Sequence, residues 1–123
     1  MVLELNYVLF FIGITLTTIG AVFDVIASIG LLRFPEFYVR LHAATIGSIG
    51  GAVVPIIGVA ILALSCTFLG PQRFFIFGCS IVIAMIIFFV APVGSHAIAR
   101  AAYRSRTVVP KYVVHDELRR VRG

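Results

Sequence analysis

Asp24 is the one acidic side chain within an apolar stretch of this sequence, between Gly20-Ala21-Val22-Phe23 and Val25-Ile26-Ala27. A carboxylate in hydrocarbon is costly unless it faces protein, water or an ion, so such a residue is a functional candidate by default. It could attract a sodium ion or carry a proton. The competing reading is a carboxylate near the inner end of an over-long helix, held by a partner's arginine or by water. A second polar group follows in Arg33-Phe34-Pro35-Glu36-Phe37-Tyr38-Val39-Arg40-Leu41-His42-Ala43-Ala44-Thr45, where three charges and a histidine fall within ten residues. His96 is the remaining candidate, one turn after Pro92 and one turn before Arg100. It could relay protons, although interfacial histidines more often hydrogen-bond to water or a backbone carbonyl.

Other chemistry lacks its parts. No Ser/His/Asp or Cys/His grouping can be assembled, no glycine-rich phosphate loop follows a strand, and no histidine or cysteine pair has zinc spacing. Asp24 and Glu36 fall on either side of Arg33, one in an apolar run and one outside it, which suits neither a metal site nor an acid/base pair. The two cysteines, Cys66 and Cys79, flank one short loop. Packing explains them, with a disulfide as the alternative. No catalytic residue, metal ligand or cofactor is assigned.

The elements that must position these residues follow from composition. Of 123 residues, 61% are hydrophobic and 12% charged, and mean hydropathy is +1.13. That leaves too little polar surface to wrap a soluble core. The expected fold is an all-α integral membrane protein: three transmembrane helices at about 5–32, 43–69 and 74–99 within a domain of residues 1–100, then a basic cytoplasmic tail, 101–123. The net charge of +5 gathers at segment ends and in the tail, so headgroups or a partner's acidic surface explain it better than nucleic acid.

The first run, Leu5 to Leu32, would make a helix of about 42 Å, longer than the ~30 Å hydrocarbon layer. It reads as a span rather than a signal peptide, because Glu4 is the only charge before it. Gly13, Thr17, Gly20, Asp24, Ala27 and Ser28 recur at spacings of three and four, one stripe that should face protein. In the second run Gly47 and Gly51 form a small-x-x-x-small pair, and Pro55 should kink the helix by crowding the Gly51 carbonyl. Gly70-Pro71-Gln72-Arg73 then forces an antiparallel hairpin onto the third run.

Between the first two runs lies the chain's polar hinge. With Pro35 at the first helical position, a helix can run from there into the second span. Phe34, Phe37 and Leu41 would share one side, Glu36 and Arg40 a second, and Tyr38, His42 and Thr45 a third. Orientation follows from the basic residues: seven Lys or Arg between Arg100 and Arg122 place that end in the cytoplasm, Arg33 and Arg40 agree, and the amino terminus falls outside.

The hinge also carries a likeness. Arg33-Phe34-Pro35 followed by Arg40-Leu41-His42-Ala43-Ala44-Thr45, after the Gly30-Leu31-Leu32 end of a span, resembles the signature of the G-type subunit of the multisubunit monovalent cation/proton antiporters of the Mrp, Mnh or Pha type. The resemblance covers roughly residues 8–99. It implies a small accessory component of a hetero-oligomer in the cell membrane that exchanges sodium or another monovalent cation for protons, with sister subunits and lipid as partners. On this reading the small-residue faces of the first two spans meet sister subunits, Arg33, Arg40 and His42 lock that contact, and Asp24 is the candidate for the ion path.

Two other classes stay open. Similar subunits serve membrane-bound hydrogenases and related respiratory complexes. A self-assembling small exporter or pore is the second, although three helices without an internal repeat do not readily supply alternating access. The segment Thr107 to Val114 is β-branched around Pro110 and could lie extended against a partner, or join a disordered basic tail on anionic lipid.

Overall fold

The computed structural model describes residues 2–106. Three segments are long and apolar enough to cross a membrane: Leu3–Arg33, Phe37–Ser65 and Gln72–Ser105. The chain builds them from α1 (Val2–Arg33), α2 (Phe37–Ile46), a π-helical stretch (Gly47–Val53), α3 (Val54–Ser65), a 3-10 turn (Thr67–Leu69) and α4 (Gln72–Ser105). Among the described residues there is no strand, so this is an all-helical, three-span membrane protein. Residues 107–123, most of the segment read as a tail, lie outside the described residues.

Helix ends differ from the hydropathy ends for local reasons. The middle span starts at Phe37 rather than near residue 43, because helix geometry continues through polar Arg40 and His42 where hydropathy falls. Its α-helix closes at Ser65, and Thr67–Leu69 tighten into the 3-10 turn. Gly70, at φ 56° and ψ −137°, then reverses the chain in a conformation that a Cβ would oppose. Pro71 caps α4, which runs unbroken through Pro92 and past residue 99 into Ala101-Ala102, good helix formers.

α1 packs along α3, the π-helical stretch and α2, and α4 packs on the same three elements. The middle span therefore lies between two outer helices that have no substantial contact with each other. Its seams are made of small residues. Among the described residues the buried apolar ones are Ala27, Ala43, Val53, Ala60, Ala63 and Ala84, and no large side chain is fully enclosed. Large side chains turn outward instead: Phe11 is 66% exposed, Phe75 74% and Phe89 63%. Lipid is as apolar as they are, so burying them gains little. Close backbone approach and dispersion hold the seams.

The serine and threonine hydroxyls of α1 are satisfied within it. The hydroxyls of Thr15, Thr17, Thr18 and Ser28 donate to the carbonyls four residues back, at 2.7 to 2.9 Å. Cys66 and Cys79 are both free thiols, so the disulfide alternative is not formed.

Candidate functional site

The joint between α1 and α2 is three residues long. Pro35 disfavours helix at the residue before it, and α1 stops at Arg33, where a basic side chain suits the negative end of the helix dipole. Phe34 still donates its N–H to the Gly30 carbonyl at 3.0 Å. Its ring folds back over Gly30, whose missing side chain leaves room for the ring and for buried Ala43: a Cβ there would lie 3.0 Å from the ring and 3.2 Å from the Ala43 Cβ. Pro35 does not open α2. Glu36, extended at φ −96° and ψ 136°, is the N-cap and Phe37 the first helical residue. With Pro35 two residues ahead of the helix, its ring turns the chain, whereas the first-position role would have served only the missing N–H.

Arg40 closes this turn. Its Nε donates to the Phe34 carbonyl six residues back, and its backbone N–H bonds to the Glu36 carbonyl at 3.1 Å. The guanidinium thus holds the end of α1 against the first turn of α2. Among the described residues no ion pair joins Arg40 to Glu36, so the four-residue spacing of those charges is not what the fold uses.

The middle span answers Pro55 in an unexpected way. Proline supplies no N–H to the carbonyl four residues before it and crowds that carbonyl with its ring. Instead of a simple kink, the ladder widens just ahead of it: the Val54 N–H bonds to Ile49, five residues back. Glycines at 47, 50 and 51 permit this, having no side chains to be spread apart. The widened stretch packs on α1 at Asp24. A Cβ at position 51 would lie 2.8 Å from both Cβ and Oδ1 of Asp24, and one at position 47 would lie 3.0 Å from the Ala27 Cβ and 3.9 Å from Asp24 Oδ1. Asp24 therefore lays its Cβ and one carboxylate oxygen against Gly51, while the residue as a whole stays exposed at the edge of the seam. No hydrogen bond or ion pair engages its carboxylate among the described residues.

The rest of the stripe on α1 meets the same span further out. Gly13 lies under Leu62 and the Gly58 carbonyl, Gly20 under the ring of Pro55, and Thr17 against Gly58. Gly13 and Gly20 are buried and Thr17 is partly so. Here the expectation of foreign partners needs correction: these small-residue faces on the first two spans close on each other within one chain. Their period required a close neighbour, and the span joined by a three-residue turn is the nearest one.

On its other side the middle span is tied to α4 by a hydroxyl pair. Thr45 Oγ1 and Ser95 Oγ are 2.7 Å apart. Thr45 also donates to the Leu41 carbonyl at 3.0 Å, and a hydroxyl has one proton, so Ser95 is the donor in the pair. Tyr38, two turns earlier, packs edge-on against Phe37 at 5.6 Å, with its hydroxyl oxygen buried and unpaired among the described residues. His42 and His96 are exposed. The expected face of Tyr38, His42 and Thr45 is thus divided: Thr45 reaches α4, and His42 does not join it.

Thus Gly30, Gly58 and Ser95 do structural work that the sequence pattern did not assign. Gly58 offers a faint signal, standing one turn beyond Pro55. Ser95 offers none, being 50 residues from its partner. No cluster of three or more His, Cys, Asp or Glu able to hold a metal exists among the described residues. What the arrangement offers chemically is one carboxylate at an open edge, backed by a widened helical turn.

Comparison with known proteins agrees with this layout. Residues 16–103 match the Na+/H+ antiporter subunit family PhaG_MnhG_YufB. The G1 subunit of the Na+/H+ antiporter of Staphylococcus saprophyticus is 31% identical over 89% of this chain and 87% of its own length. That of Staphylococcus aureus is 30% identical over 93% and 92%. A longer relative from Staphylococcus haemolyticus is matched over 56% of its length. Among solved structures, a chain of the membrane-bound sulfane sulfur reductase, an archaeal respiratory membrane complex, superposes with a TM-score of 0.72 at 32% identity, covering 89% of this chain and 94% of that one. The matched segment takes in most of α1, all of the middle span and nearly all of α4, with the Arg33–Thr45 joint inside it, and by this extent of similarity the chain belongs to the PhaG/MnhG family of Na+/H+ antiporter subunits.

Proposed function

We propose that this protein is an accessory membrane subunit of a multisubunit monovalent cation/proton antiporter, a transporter component rather than an enzyme. The observation that carries the reading is the family match over residues 16–103, which spans both seams of the fold and the joint between them. Sodium and protons are its cargo, and no resident cofactor is required. The amino terminus faces outward and the end of α4 faces the cytoplasm. Arg33, Arg40, Arg100 and Arg104 stand at that one membrane surface, with Arg73 at the other, as the positive-inside rule favours.

Asp24 gives the reading its mechanism. It lies nine residues before the end of α1, about 14 Å along the helix from Arg33, on an exposed edge of an otherwise apolar surface. Lipid would penalise the carboxylate there. A sister subunit or a water-filled path must therefore cover that edge, and a cation path would run along the boundary between chains. The outward-facing aliphatic and aromatic surfaces supply the rest of the contact. Arg40 maintains the α1–α2 angle on which the placement of Asp24 depends.

A second reading keeps the architecture and changes the machine. The match to a chain of the sulfane sulfur reductase complex covers nearly the whole of that chain, so a respiratory assembly with an antiporter-like module would accept the same fold. Purification of the tagged chain from its native membrane, with companions identified by mass, decides between them. Antiporter subunits without redox proteins are expected. Redox subunits in stoichiometric amount would favour the second reading, and a solitary monomer would refute both.

A further inference from the structure

The last three turns of α4 carry a feature that the proposed reading uses only for orientation. His96, Arg100 and Arg104 recur at intervals of four, so they form one stripe, and all three are exposed. Following the same stripe back into the membrane leads to Val93, Phe89, Met85 and Val82, exposed by 68, 63, 56 and 56%. One face of one helix is thus apolar for about three turns and then carries a histidine and two arginines over the next two to three.

We propose that this face binds an anionic phospholipid, with its phosphate held by Arg100 and Arg104 beside His96 and an acyl chain lying along Val93, Phe89 and Met85. Depth supports the assignment. The 34 residues of α4 span about 51 Å, and the ~30 Å hydrocarbon layer takes about 20 of them. Counted from Phe74, the layer ends near Val93, so His96 and Arg100 fall in the headgroup region and Arg104 lies one turn beyond.

Direction supports it too. Side chains on an α-helix lean toward its N-terminus, and the N-terminus of α4 is across the membrane. Both arginines therefore lean back toward the phosphate layer rather than away from it. Among the described residues nothing compensates their positive charge: α4 contains no Asp or Glu, and neither arginine has an ion-pair partner there. Guanidinium groups match phosphate oxygens in geometry as well as charge.

The test is made on the full chain in its native membrane assembly, stripped of lipid by detergent exchange and titrated with phosphatidylglycerol or phosphatidylcholine, with bound lipid counted by native mass spectrometry. Wild-type protein should prefer phosphatidylglycerol by about 30-fold, the ratio given by two basic side chains at ~1 kcal/mol each. R100Q/R104Q should abolish the preference, R100K/R104K should keep most of it, and R73Q at the opposite surface should leave it intact. Equal retention of both lipids by wild-type protein would overturn the proposal, whatever the variants do. So would loss of a sister subunit from R100Q/R104Q with lipid binding unchanged, because the stripe would then serve an acidic protein surface. Displacement of the bound lipid by millimolar inorganic phosphate would overturn it as well, since the acyl contact would then add nothing.

Discussion

Gly58→Ala probes the principle on which this fold rests, that α1 and α3 are held by backbone proximity rather than by interlocking side chains. A methyl group at position 58 would lie 2.5 Å from Thr17 Oγ1, 2.8 Å from the Gly13 carbonyl oxygen and 2.8 Å from the Thr17 nitrogen. Two of these atoms are backbone and cannot swing aside. Reaching an ordinary contact of 3.4 Å means moving the helices apart by about 0.6 Å, and a gap of that size forfeits about a quarter or more of each neighbouring dispersion contact. Overpacking of this kind costs about 1–3 kcal/mol. The gain in helix propensity from Gly to Ala returns about 0.5–1 kcal/mol. The net expectation is a loss of about 0–2.5 kcal/mol, centred near 1 kcal/mol. The control is Gly94→Ala, where nothing lies within 4 Å of the added carbon, so only the propensity gain applies. Unfolding of the purified chain by SDS in mixed micelles, followed by far-UV circular dichroism, compares the two. Adding Thr17→Ala to Gly58→Ala removes one of the three contacts and should recover only part of the loss. If Gly58→Ala unfolds at the same SDS fraction as Gly94→Ala or higher, backbone proximity does not set this seam. Full recovery in the double variant would place the constraint on the Thr17 side chain instead.

Asp24→Asn should leave assembly intact and lower sodium-driven proton movement in inverted vesicles by about tenfold, the scale of ~1.4 kcal/mol of lost ion attraction; normal exchange would remove Asp24 from the path. Arg40→Ala removes the bond to the Phe34 carbonyl that closes the α1–α2 turn. It should destabilise the chain by about 1.5 kcal/mol, the low end for a hydrogen bond made by a charged group, and reduce recovery of companion subunits on purification. Thr45→Val and Ser95→Ala, singly and combined, should give a coupling energy of about 0.6 kcal/mol in the same SDS assay, as hydroxyl pairs between membrane helices do; additive losses would mean that the 2.7 Å pair carries no net stabilisation. Pro55→Ala restores the missing N–H and should convert the π-helical turn to α-helix. That rotates Gly47 and Gly51 relative to Asp24, so exchange activity should fall while overall helicity stays constant by circular dichroism.

Much of this architecture was legible because lipid imposes one rule that sequence reports directly: each span needs about 20 apolar residues. The three runs, the polar joint and the hairpin at Gly70-Pro71 follow from it. The small-residue stripe from Gly13 to Ala27 was equally visible, but its partner was not. In a soluble protein the apolar face of a helix points inward by contrast with its polar face. Inside a membrane both directions are apolar, and only side-chain size marks a seam. Size says that something comes close, not whose helix it is. Pro55 is ambiguous for a related reason, since a kink and a π-helical stretch both relieve a missing N–H; glycines at 47, 50 and 51 tip the outcome through backbone freedom. Ser95 could not be found at all, because one serine in a long apolar helix carries no pairing information.

Once Gly13, Gly20, Gly51 and Gly58 are spent on the chain's own seam, the surface left for sister subunits is reversed in character. It consists of large side chains such as Phe11, Phe75 and Phe89, which pack equally well on lipid and therefore specify a partner poorly. Specificity must come from the exposed features lipid cannot satisfy. Away from the membrane surfaces the foremost is the Asp24 carboxylate, without a hydrogen-bond or ion-pair partner among the described residues. On the reading proposed above, a group that demands a neighbour would also attract the cation. The contact that recruits the next component would then be the same contact that encloses the ion, so an assembly lacking this chain would lose one wall of the path as well as a scaffold.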